Sequence, residues 1–325
     1  MIISASRRTD LPAYYSRWFF ERLRDGYALV RNPVNPRQVS YVSLSPSVVD
    51  GFVFWTKNPG PMLPYLDQLP DLPYYFQITL TPYKADIETN LPSKREKILP
   101  AVYQLARRIG PDRIVWRYDP IFLTRDYSVS FHKKAFAQLA RALKGQTFRC
   151  MISFLDWYAP MEKRMAPLSP QPVEAAARTE LAAFFSGAAQ ENGMEIFTCA
   201  EAADLSSYGI GHGCCIDGAL LEQIGGQPLS IKKDPSQRPA CGCAQSVDIG
   251  AYDTCPAGCL YCYGDHGAGR LQKNLAAYDP ASPLLCSRLR PDDMVRERKM
   301  ASCKSAQVSL FEQSRVQTGK KGGVT

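Results

Sequence analysis

Short continuous apolar runs alternate with amphipathic stretches along most of the chain. The runs are rich in β-branched and aromatic residues and end at Pro, Gly or Asp, which is typical of strands covered on both faces. They predict seven strands: Ile2–Ser6, Phe52–Thr56, Tyr75–Leu80, Arg113–Tyr118, Cys150–Phe154, Glu195–Cys199 and Ser246–Tyr252. Because helical stretches separate most of them, we expect parallel strands joined by right-handed crossovers.

The stretches between the runs carry helical start and stop signals. Serine precedes three of them and glycine follows, as at helix caps. The predicted helices follow Ser16, Ser93 and Ser130, and a fourth covers the Ala-rich stretch Val173–Gln190. Pro100 is expected to kink the second helix. The segment Val30–Leu44 predicts an inserted hairpin that turns at NPVNP.

The pattern favours an α/β fold, a full or partial (β/α) barrel of the TIM-barrel kind, with an open doubly wound sheet as the alternative. We expect a barrel body over residues 1–245, with cysteine-bearing loops from residue 199. Residues 246–304 would supply the last strand, a cysteine loop and closing helices. Residues 305–325 lose all periodicity and are expected to be a largely disordered tail.

The composition is that of a globular protein. Of 325 residues, 45% are hydrophobic and 22% charged, which argues against a mostly disordered chain. No apolar run approaches the ~18 residues of a membrane span, and no leader is evident, so a cytoplasmic protein without a membrane partner is expected. The net charge is +8, and residues 287–325 hold nine basic and four acidic residues. This charge makes nucleic-acid binding a weakly supported alternative.

Clustered cysteines provide the most informative chemical signal. Of eleven cysteines, all except Cys150 lie from Cys199 onward. A secreted disulfide scaffold would spread its cysteines along the chain, whereas a cytoplasmic protein that clusters them indicates a metal site.

Three of these cysteines have a diagnostic spacing. Cys255, Cys259 and Cys262 form C-x3-C-x2-C on one loop, which suits three corners of a 4Fe–4S cubane. The fourth iron would stay open to chelate S-adenosylmethionine. Tyr261 and Gly264, beside the third cysteine, are the predicted cofactor contacts. A structural zinc knuckle is the alternative, although zinc loops favour other spacings and need four ligands.

A second group of cysteines lies just upstream. Cys199, Cys215, Cys241 and Cys243 come from three segments and could bind a second iron–sulfur cluster or zinc. Cys214 is the spare member of this group. The alternative is that buried cysteines act simply as small hydrophobic residues.

Polar side chains gather where other predicted strands end. Arg7, Lys57, Arg117 and Asp119 would share one mouth of a barrel and contact substrate or cofactor. Their basic character hints at an anionic small-molecule or nucleotide-like substrate. Alternatively, such residues pair with one another and hold loops.

The segments SASRRTD, FWTKNP, WRYDP, CID, CGC and DIGAYDTCPAGCLYCY, in this order, resemble the bacterial family catalogued as domain of unknown function 1848. That family has a C-terminal cysteine group that looks like the cluster motif of the radical S-adenosylmethionine superfamily. The resemblance implies that Cys255, Cys259 and Cys262 ligate a catalytic cluster, with Tyr261 as the aromatic neighbour.

The position of the motif departs from that superfamily. There the motif follows the first barrel strand, whereas here it follows the last predicted one. A circular permutation would reconcile the two, with Ser246–Tyr252 acting as the first strand beside Ile2–Ser6. SASRRTD would then replace the superfamily's glycine-rich segment, whose glycine pair is missing here.

The sequence thus predicts a radical enzyme that forms a 5′-deoxyadenosyl radical on an unknown substrate, with flavodoxin or ferredoxin as electron donor. The alternative is a non-catalytic iron–sulfur or zinc protein that acts in electron transfer or nucleic-acid binding.

Overall fold

A parallel sheet of eight strands organises the computed structural model, which describes residues 1–305 of the chain. Its strands are β1 (Ile2–Ala5), β4 (Gly51–Thr56), β5 (Tyr74–Thr79), β6 (Ile114–Ile121), β7 (Arg149–Phe154), β8 (Glu195–Cys199), β9 (Gly211–Gly213) and β10 (Ser246–Asp248). A second, three-stranded sheet contains β2 (Tyr27–Arg31), β3 (Gln38–Ser43) and β11 (Met294–Glu297). The predicted tail falls almost wholly in residues 306–325, outside the described part.

Eight α-helices connect or cover these strands within residues 1–305. They are α1 (Leu11–Tyr14), α2 (Ser16–Asp25), α3 (Leu99–Ile109), α4 (Val129–Ala142), α5 (Ala159–Met165), α6 (Ala175–Glu191), α7 (Gly218–Gly225) and α8 (Ala268–Ala276). A 3-10 helix spans Gly60–Gln68. None of the helices in this part of the chain combines the length and apolar character needed to cross a bilayer.

The strand order of the large sheet is β10-β1-β4-β5-β6-β7-β8-β9, and every neighbouring pair is parallel. Apart from β10, the strands follow chain order, as repeated β–α units require. The predicted mixed α/β architecture is confirmed, and the order is consistent with a partial (β/α) fold. The hydrogen-bonded order has two edges, at β9 and at β10.

The two faces of the sheet bury different side chains. Helices cover one face, where Phe54, Phe76 and Trp116 are fully buried. On the other face Val53 and Tyr75 pack against α7. Because strand side chains alternate between faces, each strand is apolar throughout, which explains the continuous runs in the sequence.

All seven predicted strands occur, with boundary shifts of a few residues. The last one ends at Asp248 instead of Tyr252. The predicted hairpin is confirmed as the antiparallel pair β2–β3. β9 was missed because Gly-His-Gly provides no apolar run to recognise.

Several helix starts differ from the prediction: Ser16 is the first residue of α2 instead of its cap, and α6 begins at Ala175 instead of Val173. Ser128, rather than Ser130, caps α4, and its side chain accepts the Phe131 N–H at 3.2 Å. Pro100 does not kink a continuous helix, because it lies in the first turn of α3 after a π-helical turn at Lys94–Ile98. A proline is tolerated in a first turn, where its missing N–H costs no helical hydrogen bond.

Candidate functional site

The carboxyl edge of the large sheet gathers the polar residues singled out in the sequence. Arg7 and Lys57 lie just beyond the ends of β1 and β4, and Arg117 lies within β6, in register with Thr79 at the end of β5. In a parallel sheet these ends share one edge, so the strand order alone brings the three cations to one side of the molecule. The cysteine loop that follows β10 opens at the same edge, because β10 pairs in parallel with β1.

The cysteine loop is held by the loop that follows β5. The Leu260 N–H donates to the Ile87 carbonyl at 3.0 Å, and the Asn90 N–H donates to the Ala257 carbonyl at 3.1 Å. Gly258 has a φ of 69°, and a Cβ there would stand 2.1 Å from Thr89 Oγ1. Glycine is therefore required both by the backbone angle and by the close approach of the two loops.

The three thiols of this loop share one environment. Cys259 is 8% exposed, and Cys255 and Cys262 are half-buried. Burial raises the pKa of all three thiols, that of Cys259 to about 12. Cys259 and Cys262 contribute to the raised pKa of the Cys255 thiol, and Cys262 to that of Cys259, yet no thiol–thiol hydrogen bond joins the three within the described residues. The Ala257 and Gly264 N–H groups donate to the sulfurs of Cys255 and Cys262.

Glu88 lies at the centre of a buried polar network beside this loop. Its carboxylate accepts hydrogen bonds from Lys57 Nζ at 2.7 Å and Thr81 Oγ1 at 2.8 Å, and also from Lys94 Nζ and the Tyr261 hydroxyl. Burial alone would raise the Glu88 pKa, but the ammonium groups of Lys57 and Lys94 lower it to about 2. Glu88 is therefore ionised in the folded protein.

The same network fixes two of the predicted site residues. Lys57 Nζ also donates to the Tyr261 hydroxyl at 2.7 Å, and the Glu88 carboxylate raises the Lys57 pKa against the effect of burial. Tyr261 is 9% exposed. Its hydroxyl group is hydrogen-bonded to Lys57 and Glu88, so a ligand could contact only the exposed part of its ring.

Arg164 of α5 fastens the loop from the opposite side. Its guanidinium donates to the Leu260 carbonyl at 3.1 Å and to the Asp265 carbonyl at 2.5 Å, and it also bonds the Cys262 carbonyl. Gly264 packs closely here, since a Cβ on it would meet the Arg8 carbonyl oxygen at 3.1 Å. The third cysteine is thus held through its backbone.

The segment after β1 is tied to the end of β10. Asp248 accepts hydrogen bonds from Ser4 Oγ at 2.5 Å, Ser6 Oγ at 2.7 Å and the Arg7 N–H at 2.8 Å. The Arg7 side chain is 21% exposed, and its guanidinium lies 3.8 Å from Asp234. The Arg7 guanidinium therefore has only a distant ion-pair partner and is partly exposed at the carboxyl edge of the sheet.

Asp10 caps α1 and contacts the strand beside it. Its carboxylate accepts the Ala13 N–H at 2.9 Å and the Lys57 N–H at 2.8 Å. Burial raises its pKa to about 6 despite these hydrogen bonds.

Arg117 and Asp119 form an ion pair within β6. Arg117 Nε donates to Asp119 Oδ1 at 3.1 Å, and Ser153 Oγ donates to the same carboxylate at 3.3 Å. Arg117 Nη1 lies 3.0 Å from Cys215 Sγ. The pair therefore links the mouth of the sheet to the second cysteine group.

The predicted second group of four cysteines does converge. Cys199 Sγ lies 2.7 Å from Cys215 Sγ, and the Cys243 thiol hydrogen-bonds with those of Cys215 and Cys241. Hydrogen bonds from Cys199 and Cys243, together with the Arg117 guanidinium, hold the pKa of the Cys215 thiol well below its ordinary value. All four side chains are at most 8% exposed.

In neither cysteine group are the side chains already arranged to bind a single metal ion. Within residues 1–305, no three or more His, Cys, Asp or Glu side chains are placed together so as to hold a metal ion. Cys150, Cys286 and Cys303 lie apart from both groups in the sequence.

Two cavities lie outside the cysteine loop. One of about 230 Å³ opens on the inner face, among Tyr75, Gln77, Arg149, His212 and Cys214. A larger one of about 500 Å³ lies near Asp50, Tyr74 and Arg113, at the amino ends of the strands. The larger cavity lies at the amino edge of the sheet, opposite the polar groups described above. Its size alone therefore does not make it a candidate active site.

Sequence reasoning missed Glu88, Arg164 and Asp248. Glu88 carried one signal, since it lies in the loop after a predicted strand, but nothing in the sequence indicated its lysine partners. Arg164 lies in a helix without strand-end context, and only the fold brings it to the loop.

Comparison with known proteins gives one match. Neither curated proteins nor solved structures match the chain. The family model described as "Domain of unknown function (DUF1848)" matches residues 2–264, a span that runs from β1 through the cysteine loop and its Gly264. The chain, with the sheet and both cysteine groups inside the matched region, therefore belongs to the DUF1848 family.

Proposed function

We propose that the protein is a radical S-adenosylmethionine enzyme in which Cys255, Cys259 and Cys262 hold a 4Fe–4S cluster with one open iron. The observation that carries the proposal is that one loop at the carboxyl edge of a parallel sheet carries three thiols, of which Cys259 is buried and the other two are half-buried. Active sites of (β/α) folds form at this edge.

The loop suits a cluster better than a zinc ion. Two sulfur ligands of one zinc stand roughly 3.8 Å apart, and a structural zinc needs four ligands. The three thiols form no mutual hydrogen bond, and no fourth ligand completes a single-ion set within residues 1–305. Amide N–H groups at Ala257 and Gly264 donate to two of the sulfurs, as thiolates bound to a cluster favour.

Such a cluster, when bound and reduced, supplies the electron that cleaves S-adenosylmethionine to methionine and a 5′-deoxyadenosyl radical. The chain's own residues prepare the site for it. Lys57 and Lys94 bring positive charge beside the thiolates, and Glu88 holds both lysines in place. Arg164 fixes the backbone of the third cysteine. Gly264 allows the close packing that the loop needs, and the exposed part of the Tyr261 ring would contact the cofactor.

The strand order supports a circularly permuted form of the superfamily's barrel, full or partial. β10 lies at one edge of the sheet and pairs with β1, and the remaining strands follow in chain order. In this arrangement β10 takes the place of the superfamily's first strand. Ser6 and Arg7, bonded to Asp248, then stand where the cofactor's amino group would bind.

The mouth of the sheet would receive an anionic small-molecule or nucleotide-like substrate. Arg7 is the least engaged of the cations there, whereas Lys57 and Arg117 already pair with Glu88 and Asp119. The proposed setting is the cytoplasm, with flavodoxin or ferredoxin as electron donor.

Anaerobic reconstitution tests the proposal. The full chain should bind about four irons at this loop and, with dithionite and S-adenosylmethionine, release 5′-deoxyadenosine. Cys255→Ala should abolish release, whereas Cys303→Ala, at the opposite edge of the sheet, should leave it unchanged.

Two outcomes would contradict the proposal. Iron binding with a reversible redox couple but no adenosyl product would identify an electron-transfer protein. Zinc in the purified protein, with no cleavage of the cofactor, would identify a non-catalytic metal protein, for which nucleic-acid binding would be the proposed role.

A further inference from the structure

The second cysteine group joins the two open edges of the large sheet. Cys199 ends β8, Cys215 follows β9, and Cys241 and Cys243 precede β10. β9 and β10 are the two edges of the hydrogen-bonded order. The four thiols therefore connect the last strand of the sheet to the first across the gap between them.

We propose that Cys199, Cys215, Cys241 and Cys243 bind one structural zinc ion that closes this gap. The inference is independent of the chemistry proposed for the Cys255 loop. It depends on three observations: the contacts among the sulfurs, the positive charge beside them and the irregular chain that carries two of them.

The contacts among the sulfurs favour a single ion over a cluster. Cys215 Sγ is 2.7 Å from Cys199 Sγ and hydrogen-bonds with Cys243, which in turn hydrogen-bonds with Cys241. Sulfurs on a single zinc stand roughly 3.8 Å apart, so the closest pair must open by about 1 Å. In this structure the Cys199 and Cys215 sulfurs are closer than two ligands of one zinc ion. Accordingly, no group of three or more ligands in the described residues is already arranged to hold an ion. A cubane would force the sulfurs much further apart, to about 6 Å or more.

Positive charge is already in place beside the thiols. Arg117 Nη1 lies 3.0 Å from Cys215 Sγ, and the Ile216 N–H donates to Cys243 Sγ at 3.5 Å. Four thiolates around Zn²⁺ keep a net negative charge, and donors of this kind stabilise it.

Residues 226–245 have little regular structure, and isolated bridges join Leu229 to Lys304 and Lys233 to Ala244. No helix or strand is assigned between α7 and β10, yet Cys241 and Cys243 in this segment are 5% and 1% exposed. Long irregular segments of a folded domain are either mobile or held by specific contacts. A tetrathiolate zinc supplies such a contact and contributes directly to folding free energy.

Metal analysis of the full chain tests the proposal. Protein purified with zinc should retain one zinc per chain, and Cys255→Ala should retain it as well, so failure of the radical chemistry leaves this result untouched. Cys215→Ala and Cys243→Ala should lose the ion. Cys214→Ala is the matched control, because this neighbouring thiol lies outside the contact chain, and it should keep the zinc.

Thiol titration of the wild-type protein tests the proposal without any variant. Chelation of the zinc should expose four additional thiols to an aromatic disulfide reagent under native conditions. A chain without zinc, four irons bound at this group in Cys255→Ala, or a Cys199–Cys215 disulfide found by mass spectrometry would each overturn the proposal.

Discussion

At the scale of single residues, Glu88 does most to define the site beside the cysteine loop. Its side chain is 1% exposed and holds Lys57, Lys94 and Tyr261 at once. A carboxylate buried this deeply is tolerated only because it has cationic partners. The two lysines in turn depend on it, since their partly buried ammonium groups would repel each other without the carboxylate.

We expect Glu88→Gln to destabilise the fold by about 3–5 kcal/mol, because it leaves two partly buried lysine ammonium groups without their counter-ion. Chemical denaturation at neutral pH measures the loss. Glu96→Gln, at an exposed position in the turn before α3, should change stability by less than about 0.5 kcal/mol. Equal stability of the two variants would show that the Glu88 network is not structural.

His132 provides a pH-dependent contribution to stability. Its Nδ1 lies 2.8 Å from the Tyr118 hydroxyl and its Nε2 lies 3.0 Å from the Phe122 carbonyl oxygen. Burial lowers its pKa from 6.5 to about 4. The folded state thus disfavours the proton that the unfolded state accepts, so this contribution is complete above about pH 6.5 and is lost as the pH falls towards 4.

The wild-type protein should therefore lose about 2 kcal/mol of unfolding free energy through this residue between pH 7 and pH 5. His132→Gln should remove that part of the pH dependence, whereas His212→Gln, at an exposed histidine, should retain it. Urea denaturation at the two pH values measures the difference. Parallel pH profiles for wild type and His132→Gln would contradict the prediction.

Individual site residues were predictable to different degrees. Lys57 and Arg117 were found because they follow apolar runs, and parallel strands bring such positions to one edge. The sequence did not show whether a residue at this edge forms an ion pair or hydrogen bond with another side chain, because that second side chain lies far along the chain. Glu88 and Tyr261, for example, are 173 residues apart.

At the scale of elements, α7 closes the inner face of the sheet. Leu220 and Leu221 are 1% and 0% exposed and pack against the inner side chains of Val53 and Tyr75. Gly51 is needed beneath the helix, since a Cβ there would meet Leu221 Cδ2 at 3.0 Å and the Pro73 carbonyl oxygen at 2.6 Å.

Leu221→Ala should cost about 2–5 kcal/mol of stability, because it opens a cavity under α7 that the rigid strands cannot fill. Gln223→Ala, on the exposed side of the same helix, should cost less than about 0.5 kcal/mol. Thermal denaturation of both variants provides the comparison. A small loss for Leu221→Ala would mean that α7 is loosely packed.

The elements themselves were largely predictable, and their boundaries less so. The strands β1, β4, β5, β6, β7 and β8 each carry a continuous apolar run, because both faces of the sheet are covered. β9 and α7 lack such a signal: β9 is three residues long, and α7 follows a cysteine- and glycine-rich segment that indicated only a loop.

At the scale of the whole molecule, the gap between β9 and β10 is the feature to test. If a zinc ion closes it, chelation should raise amide hydrogen exchange in residues 226–245 while the central strands β4, β5 and β6 remain protected. Mass spectrometry of peptides from the wild-type protein measures both. Cys243→Ala should show the raised exchange before chelation, and unchanged exchange in the wild type on zinc removal would contradict the prediction.

The sequence by itself determined the α/β class, seven strands, the hairpin and the candidate cysteines, because apolar periodicity and local spacing are properties of neighbouring residues. Tertiary structure alone decided which groups meet: Glu88 with two lysines, Arg164 with the cysteine loop, and Arg117 with Cys215 of the second cysteine group. These contacts depend on strand order and loop paths. Such long-range arrangements are set by the free energy of the whole fold, so no local pattern in the chain records them.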